Sequence, residues 1–247
     1  PIFLPTIARK VRKKHETQLM KMLYRLSEAL EVSKCHFTNM SHEKLSNWYL
    51  IWAERANDQH STHHLLVDLS FSLENIRLSF RKSFKPLVTK GLREWRVEVH
   101  EIISDELFSK FRLLHKEVAG GSTRPIESWA VQKKQIDMLE SFLVTVSDSY
   151  GDMVGAGLFT HTSGHGLYCV GVYKRDLFDK PLGHAVQMEA IKMFKKRGCT
   201  WYELGQKHLK VDRSGATEKE LSISHFKEGF SNHVVARQHV IVNMKSI

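Results

Sequence analysis

The 247-residue sequence is short of cysteine, proline and long apolar runs, and each shortage removes a class of protein. Its three cysteines, Cys35, Cys169 and Cys199, form neither a paired framework nor a metal spacing. A disulfide scaffold is therefore excluded, and the thiols read as reduced residues of a cytosolic protein. No apolar stretch approaches the roughly 18 residues of a membrane-spanning helix, and no basic-then-apolar signal opens the chain, which points to a soluble, cytoplasmic protein. The first residue is Pro1 rather than Met, as in a fragment or a processed chain. Five prolines and 14 glycines are too few for a disordered chain, and no repeat or low-complexity tract occurs. What remains, 42% hydrophobic and 10% aromatic residues, suffices to bury one or two sizeable cores in an α/β-type fold.

Acidic residues are also scarce, 27 against 37 basic ones, for a net charge of +10. Residues 1–100 carry +7 of this and residues 101–247 only +3. The excess concentrates in "ARKVRKK" (Arg9, Lys10, Arg12, Lys13 and Lys14) and in "NIRLSFRKSFKPLVTKGLREWR". In the second stretch Leu73, Ile76, Phe80, Phe84 and Leu87 recur at helical spacing, with Arg77, Arg81 and Lys85 four apart on another face and Pro86 expected to kink or end the helix. Such a stripe either tracks phosphates or is a solvated face, and its aromatics sit away from the charges, so base stacking gains no support. His60, His63 and His64 lack a Cys or carboxylate partner at ligand spacing, and no metal site is expected.

The patterning predicts a helix over 6–32 with Leu19, Met22, Leu23, Leu26 and Leu30 on its buried face, and another over 42–56. A strand follows at 64–70, with Ser70 or Ser72 capping the basic helix; a strand in "WRVEVHE" and helices near 104–118 and 126–141 come next, the helices separated by the 120–125 turn. "SFLVTVSDS", "DMVGAGLFTHT" and "GHGLYCVGVY" read as three strands joined by hairpins. In "DKPLGHAVQMEAIKMFKKRG", Asp179 suits a cap and Pro181 a first turn, while Leu182, Val186, Ala190 and Phe194 share one helical face up to Gly198. A short strand in "CTWYELG", a polar loop to about 218, a short helix at 219–227 and a strand in "HVVARQHVIVN" complete a mixed sheet with helices against it.

"DKPLGHAVQMEAIKMFKKRGCTWYELG" followed by "EKELSISHFKEGF" resembles the C-terminal acyltransferase lobe of the FemAB-like branch of the GNAT superfamily. There a helix with an Ala-Ile pair and a C-terminal Lys-x-x-Gly leads into an aromatic-acidic-Leu-Gly strand, and a Phe-Lys-x-Gly-Phe motif follows. "LLVDLSFSLENIRLSFRKSFKPLV" resembles the segment that links two GNAT-like lobes in that branch. The resemblance spans about residues 64–247. It implies a mixed, helix-flanked GNAT-like sheet over 96–247, preceded over 1–95 by a largely helical, basic lobe and linker helix standing for a reduced or truncated first lobe.

It also implies acyl transfer, often of an aminoacyl group from tRNA, onto an amine of a cell-envelope or surface-glycan precursor, with acyl-CoA as the other donor. The chemistry needs a stabilised oxyanion and a proton acceptor. Matched to the motif, Lys227 would stabilise the donor carbonyl or phosphate. Glu203 would orient or deprotonate the amine, or only pair with Lys207 or His208. His184, kept neutral by the helix dipole, would be a base or donor contact. Phe226, Phe230, Tyr173 and His165 are candidate substrate contacts, and Arg77, Arg81 and Lys85 would meet donor phosphate or tRNA. The turn "KRDLFDKPLGH" holds one glycine where acetyl-CoA enzymes of the superfamily carry a glycine-rich pyrophosphate cradle, so weak or displaced CoA binding is expected. The alternative is a non-catalytic RNA- or partner-binding protein that keeps the fold.

Overall fold

In the computed structural model, residues 7–39, 45–212 and 215–245 are described. In chain order the elements are α1 (Arg9–Ala29), β1 (Lys34–Thr38), α2 (Asn47–Ala53), β2 (Asp58–Asp68), α3 (Leu73–Ser79), α4 (Phe84–Glu94), β3 (Arg96–His100), α5 (Asp105–Ala119), α6 (Ile126–Asp137), β4 (Ser141–Ser147), β5 (Met153–His161), β6 (His165–Tyr173), α7 (Leu182–Lys196), β7 (Trp201–Lys207), α8 (Glu218–Glu228) and β8 (His233–Asn243). These are an α/β fold of eight helices and mixed strands among the described residues. The chain forms two compact units, residues 1–63, 211–215 and 235–247 in the smaller and 64–210 with 216–234 in the larger. Residue 95, the boundary expected from the sequence, lies inside the larger unit.

In the smaller unit β1 pairs antiparallel with β8, from Lys34↔Asn243 to Thr38↔His239. Its core is Tyr49, Trp52, Val240, Val242 and Met244, with Phe37 stacked on Trp52 at 4.1 Å and Tyr24 tilted on it at 5.7 Å. α1 docks through Met20, Leu23 and Tyr24, whereas Met22, Leu26 and Leu30, expected inside, are exposed. The helix has apolar residues on more than one arc, and the ring of Trp52 selects the arc that carries Tyr24. The strand β1 was not legible in the sequence. The second helix is shorter than expected; residue 6 of the first expected helix and residues 42–44 of the second lie outside the described residues.

In the larger unit, β3 through β6 form an antiparallel meander, and β6 then runs parallel to β7 through the crossover helix α7. The alternation of β4 and β5 sends Phe142, Val144, Val146 and Phe159 to a core shared with α3, α4 and α7, and Leu143, Ala156 and Leu158 to a second core under α5 and α6. Each such fully buried large side chain contributes about 1.5–3 kcal/mol. The helix ends follow their chemistry. Ser72 caps α3, Ser104 caps α5, and Gly120, in the left-handed region at φ 76°, ends α5. Asp179 does not cap α7: its carboxylate pairs with Lys180, and Pro181 holds the N-cap position without a side-chain bond.

The expected basic helix is two. It breaks at Phe80, whose ψ of 151° leaves the helical region, and α4 restarts at Phe84 with Pro86 in its first turn. Pro86 therefore starts a helix rather than ending one, where its missing N–H costs nothing. Phe80 and Phe84 both enter the core against Phe230, with ring centres 5.2 and 4.9 Å away.

Candidate active site

The parallel ladder between β6 and β7 covers His165↔Trp201, Gly166↔Tyr202 and Leu167↔Glu203 and stops there among the described residues, although β6 continues to Tyr173 and β7 to Lys207. A bulge in β6 adds to the gap, because Leu158 faces Val170 while Phe159 faces Tyr168, and Cys169 is the extra residue. Residues five apart on a regular strand point to opposite faces. The bulge puts Tyr168 and Tyr173 on one face, with their hydroxyls 3.3 Å apart. Gly171 makes room for this, since a Cβ there would lie 1.7 Å from the Tyr168 hydroxyl. Burial raises the pKa of both phenols, so both stay protonated.

Lys227 reaches this gap from α8. Its Nζ lies 5.6 Å from the centre of the Tyr168 ring, a cation over an aromatic face. On the β7 side it passes Gly205, whose φ of 116° suits glycine and whose missing Cβ would lie 2.8 Å from Nζ. Burial pushes the lysine's pKa below its ordinary 10.5, and the Glu203 carboxylate opposes the shift without cancelling it. α8 itself is fixed at several points. Thr217 and Glu220 form a reciprocal capping box, Ser224 Oγ accepts from the His208 backbone N–H at 3.0 Å, and Glu228 pairs with Lys207.

Glu203 is buried on β7, and each of its oxygens meets a histidine: Oε1 lies 2.8 Å from His64 Nδ1 of β2, and Oε2 lies 3.2 Å from His165 Nε2 of β6. The exposures are graded, 7% for the Glu203 side chain, 13% for His64 and 30% for His165. His165 is thus the member of the cluster that opens outward. Lys207, one of the alternative partners of Glu203, pairs with Glu228, and the His208 backbone N–H bonds the Ser224 hydroxyl.

The structure therefore brings Lys227, Glu203, His165 and Tyr173 to the β6–β7 gap, together with His64 and Tyr168. His184 is not among them. Its ring packs on Phe84 at 4.4 Å and Phe226 at 5.3 Å, and burial lowers its pKa to about 4. Desolvation by the packed rings is the cause of that shift. Phe230 is completely buried against Phe80 and Phe84, so it is a core residue and not a substrate contact. Phe226 is half-buried in the same cluster, its ring filling the space beside Gly183.

Arg77, Arg81 and Lys85 do not form one helical stripe. Arg77 is on α3 and bonds the Thr89 hydroxyl, Arg81 in the break bonds His225 at 2.9 Å and lies over Phe84, and Lys85 is the second residue of α4. His64 and Tyr168 were missed as site residues. Local patterning placed both on strands, but only the pairing of β2 and β6 beside β7 shows what they face.

No protein-family model and no curated protein matches this sequence. Solved structures do match its backbone. FemX superposes with a TM-score of 0.68 at 12% identity, over 90% of this chain and 75% of that one. The chain has a FemAB-like, GNAT-type fold. L-PGS from Bacillus licheniformis (TM-score 0.58, 14% identity, 80% of this chain) and a tandem GNAT protein from the clavulanic acid biosynthesis pathway (0.56, 11%, 100%) share it. The chain spans 65% of the L-PGS structure and 74% of the tandem GNAT protein.

Proposed function

We propose that the chain is an N-acyltransferase that moves an acyl or aminoacyl group from an activated ester or thioester to an amine of a cell-envelope or surface-glycan precursor. The observation that carries this reading is the meeting of a partly buried lysine and a histidine-flanked carboxylate where the β6–β7 ladder stops. The donor carbonyl carbon sits in the gap with its oxygen toward the Lys227 ammonium. The amine attacks, its nitrogen forms the new bond to the carbonyl carbon, and negative charge builds on the oxygen, where a cation in a poorly solvated site is worth most. The tetrahedral intermediate collapses by breaking the bond to the tRNA ribose oxygen or the CoA sulfur. The proton of the attacking nitrogen passes to Glu203, directly or by way of the more exposed His165, and the departing oxygen or sulfur takes up a proton, from this cluster or from solvent, to leave as the alcohol or thiol. Because an activated donor arrives ready to react, no covalent enzyme intermediate is required.

Both donors remain compatible with these residues. The gap receives the activated carbonyl in either case, and the basic residues of the chain suit a tRNA. The test is product formation by the purified protein from labelled aminoacyl-tRNA and from acyl-CoA, each with a panel of amino-sugar and peptidyl amines. Amide product from one donor class is expected. RNA binding without transfer from either donor would overturn the reading in favour of a non-catalytic binder.

A further inference from the structure

α1 uses only one arc of its surface to dock in the smaller unit. Glu16 and Ser27 are buried, and Met20, Leu23 and Tyr24 pack on the aromatic cluster. At about 100° per residue, Val11, Met22 and Leu26 share an arc of about 60° turned away from that face. They are 45%, 63% and 53% exposed, and Leu30, just past the helix end, is 64% exposed. His15 and Ala29 lie on the same arc. Beside it, Lys10, Lys14, Lys21 and Arg25 share a second arc of about 60°, all exposed, with Glu28 the one carboxylate on it. The solvent side of α1 is thus an apolar strip bordered by a row of cations.

We infer that α1 is a peripheral membrane-binding helix whose partner is an anionic phospholipid surface. Exposed Met and Leu gain by entering the boundary between headgroups and acyl chains, while the lysine stems reach up to lipid phosphates. A folded RNA would neutralise the cations but would give Met22, Leu26 and Leu30 nothing to bury against. No helix among the described residues is long and apolar enough to cross a membrane, so the mode is one of lying on the surface. The inference rests on α1 alone and stands or falls separately from the acyl-transfer reading.

Flotation with vesicles of phosphatidylcholine alone, and of phosphatidylcholine mixed with phosphatidylglycerol, tests it at low and high salt. The protein is expected to float with the mixed vesicles at low salt and to bind phosphatidylcholine at least about tenfold more weakly. Met22→Ser with Leu26→Ser is expected to cut binding about tenfold or more with the circular dichroism unchanged, because both side chains are already exposed. Replacing Lys10, Lys14, Lys21 and Arg25 by glutamine is expected to cut it by roughly two to three orders of magnitude. Absence of binding to the mixed vesicles overturns the inference. So does a serine double variant that binds like the parent while the glutamine variant does not, and a tRNA gel shift with that same charge dependence would then assign the face to nucleic acid.

Discussion

At the scale of single residues, the larger unit holds two histidine environments with opposite chemistry. His165 faces outward with a carboxylate behind it, whereas His184 is sealed among phenylalanines. If Glu203 takes up the amine proton, Glu203→Gln keeps the shape and the contacts to His64 but removes the charge. It should lower kcat/KM by roughly 10²- to 10⁴-fold and abolish the acidic limb of the pH–rate profile. An unchanged limb would leave Glu203 a structural anchor. His184 makes a separate, thermodynamic prediction. In the folded protein its ring stays neutral down to about pH 4, while in the unfolded chain it takes a proton near the ordinary 6.5. Below pH 6.5 the unfolded state therefore binds more protons, so stability falls as the pH drops toward 4 and levels off beneath it, by up to about 3 kcal/mol in all. Urea unfolding at pH 7 and near pH 4.5 should show a smaller loss in His184→Leu than in the parent, and equal losses would contradict the account.

At the scale of elements, α8 acts as a mount. A lysine carries about 2 kcal/mol of side-chain entropy, and aiming one at a fixed point requires a helix that does not shift. The capping box at Thr217, the Ser224 bond to the His208 N–H and the Lys207–Glu228 pair supply that rigidity from both ends. Ser224→Ala leaves a backbone N–H without its partner and should cost about 1–3 kcal/mol of stability. Because the same bond holds Lys227 in register with β7, turnover should fall several-fold at temperatures where the variant is still folded. Full turnover in a destabilised variant would show that the lysine is positioned by β7 and Tyr168 without help from the helix. The break between α3 and α4 is a second element-scale feature. Phe80 before α4 and Phe84 at its start both pack on Phe230, so the Phe-Lys-x-Gly-Phe segment is anchored by its last aromatic while Lys227 lies beside the Tyr168 ring.

At the scale of the whole molecule, what could be read from the sequence was what has a local period or cap. The meander β4–β6, the crossover α7 with its Leu182, Val186, Ala190 and Phe194 face, and the Ser72 cap all follow from spacing that one segment contains. The docking arc of α1 and the strand β1 did not, because both depend on Trp52 and β8, far away in the chain. The site divided the same way. Lys227 and Glu203 were legible through a motif, but the histidines flanking Glu203 come together only when three strands pair, and no local pattern marks His64 as its partner. His184 misled for a related reason: its place in the first turn of a helix suggests a base or donor contact, and only the packed structure shows Phe84 and Phe226 closing over the ring. All of this converges on one claim, that Lys227 stabilises the charge that develops on the donor carbonyl. The direct measurement is single-turnover acyl transfer by Lys227→Ala beside the parent, with the melting temperature recorded for both. The account predicts a rate lower by roughly two to three orders of magnitude at a nearly unchanged melting temperature, with Lys227→Arg only partly restoring it. A Lys227→Ala protein that transfers the acyl group at the parental rate would contradict it.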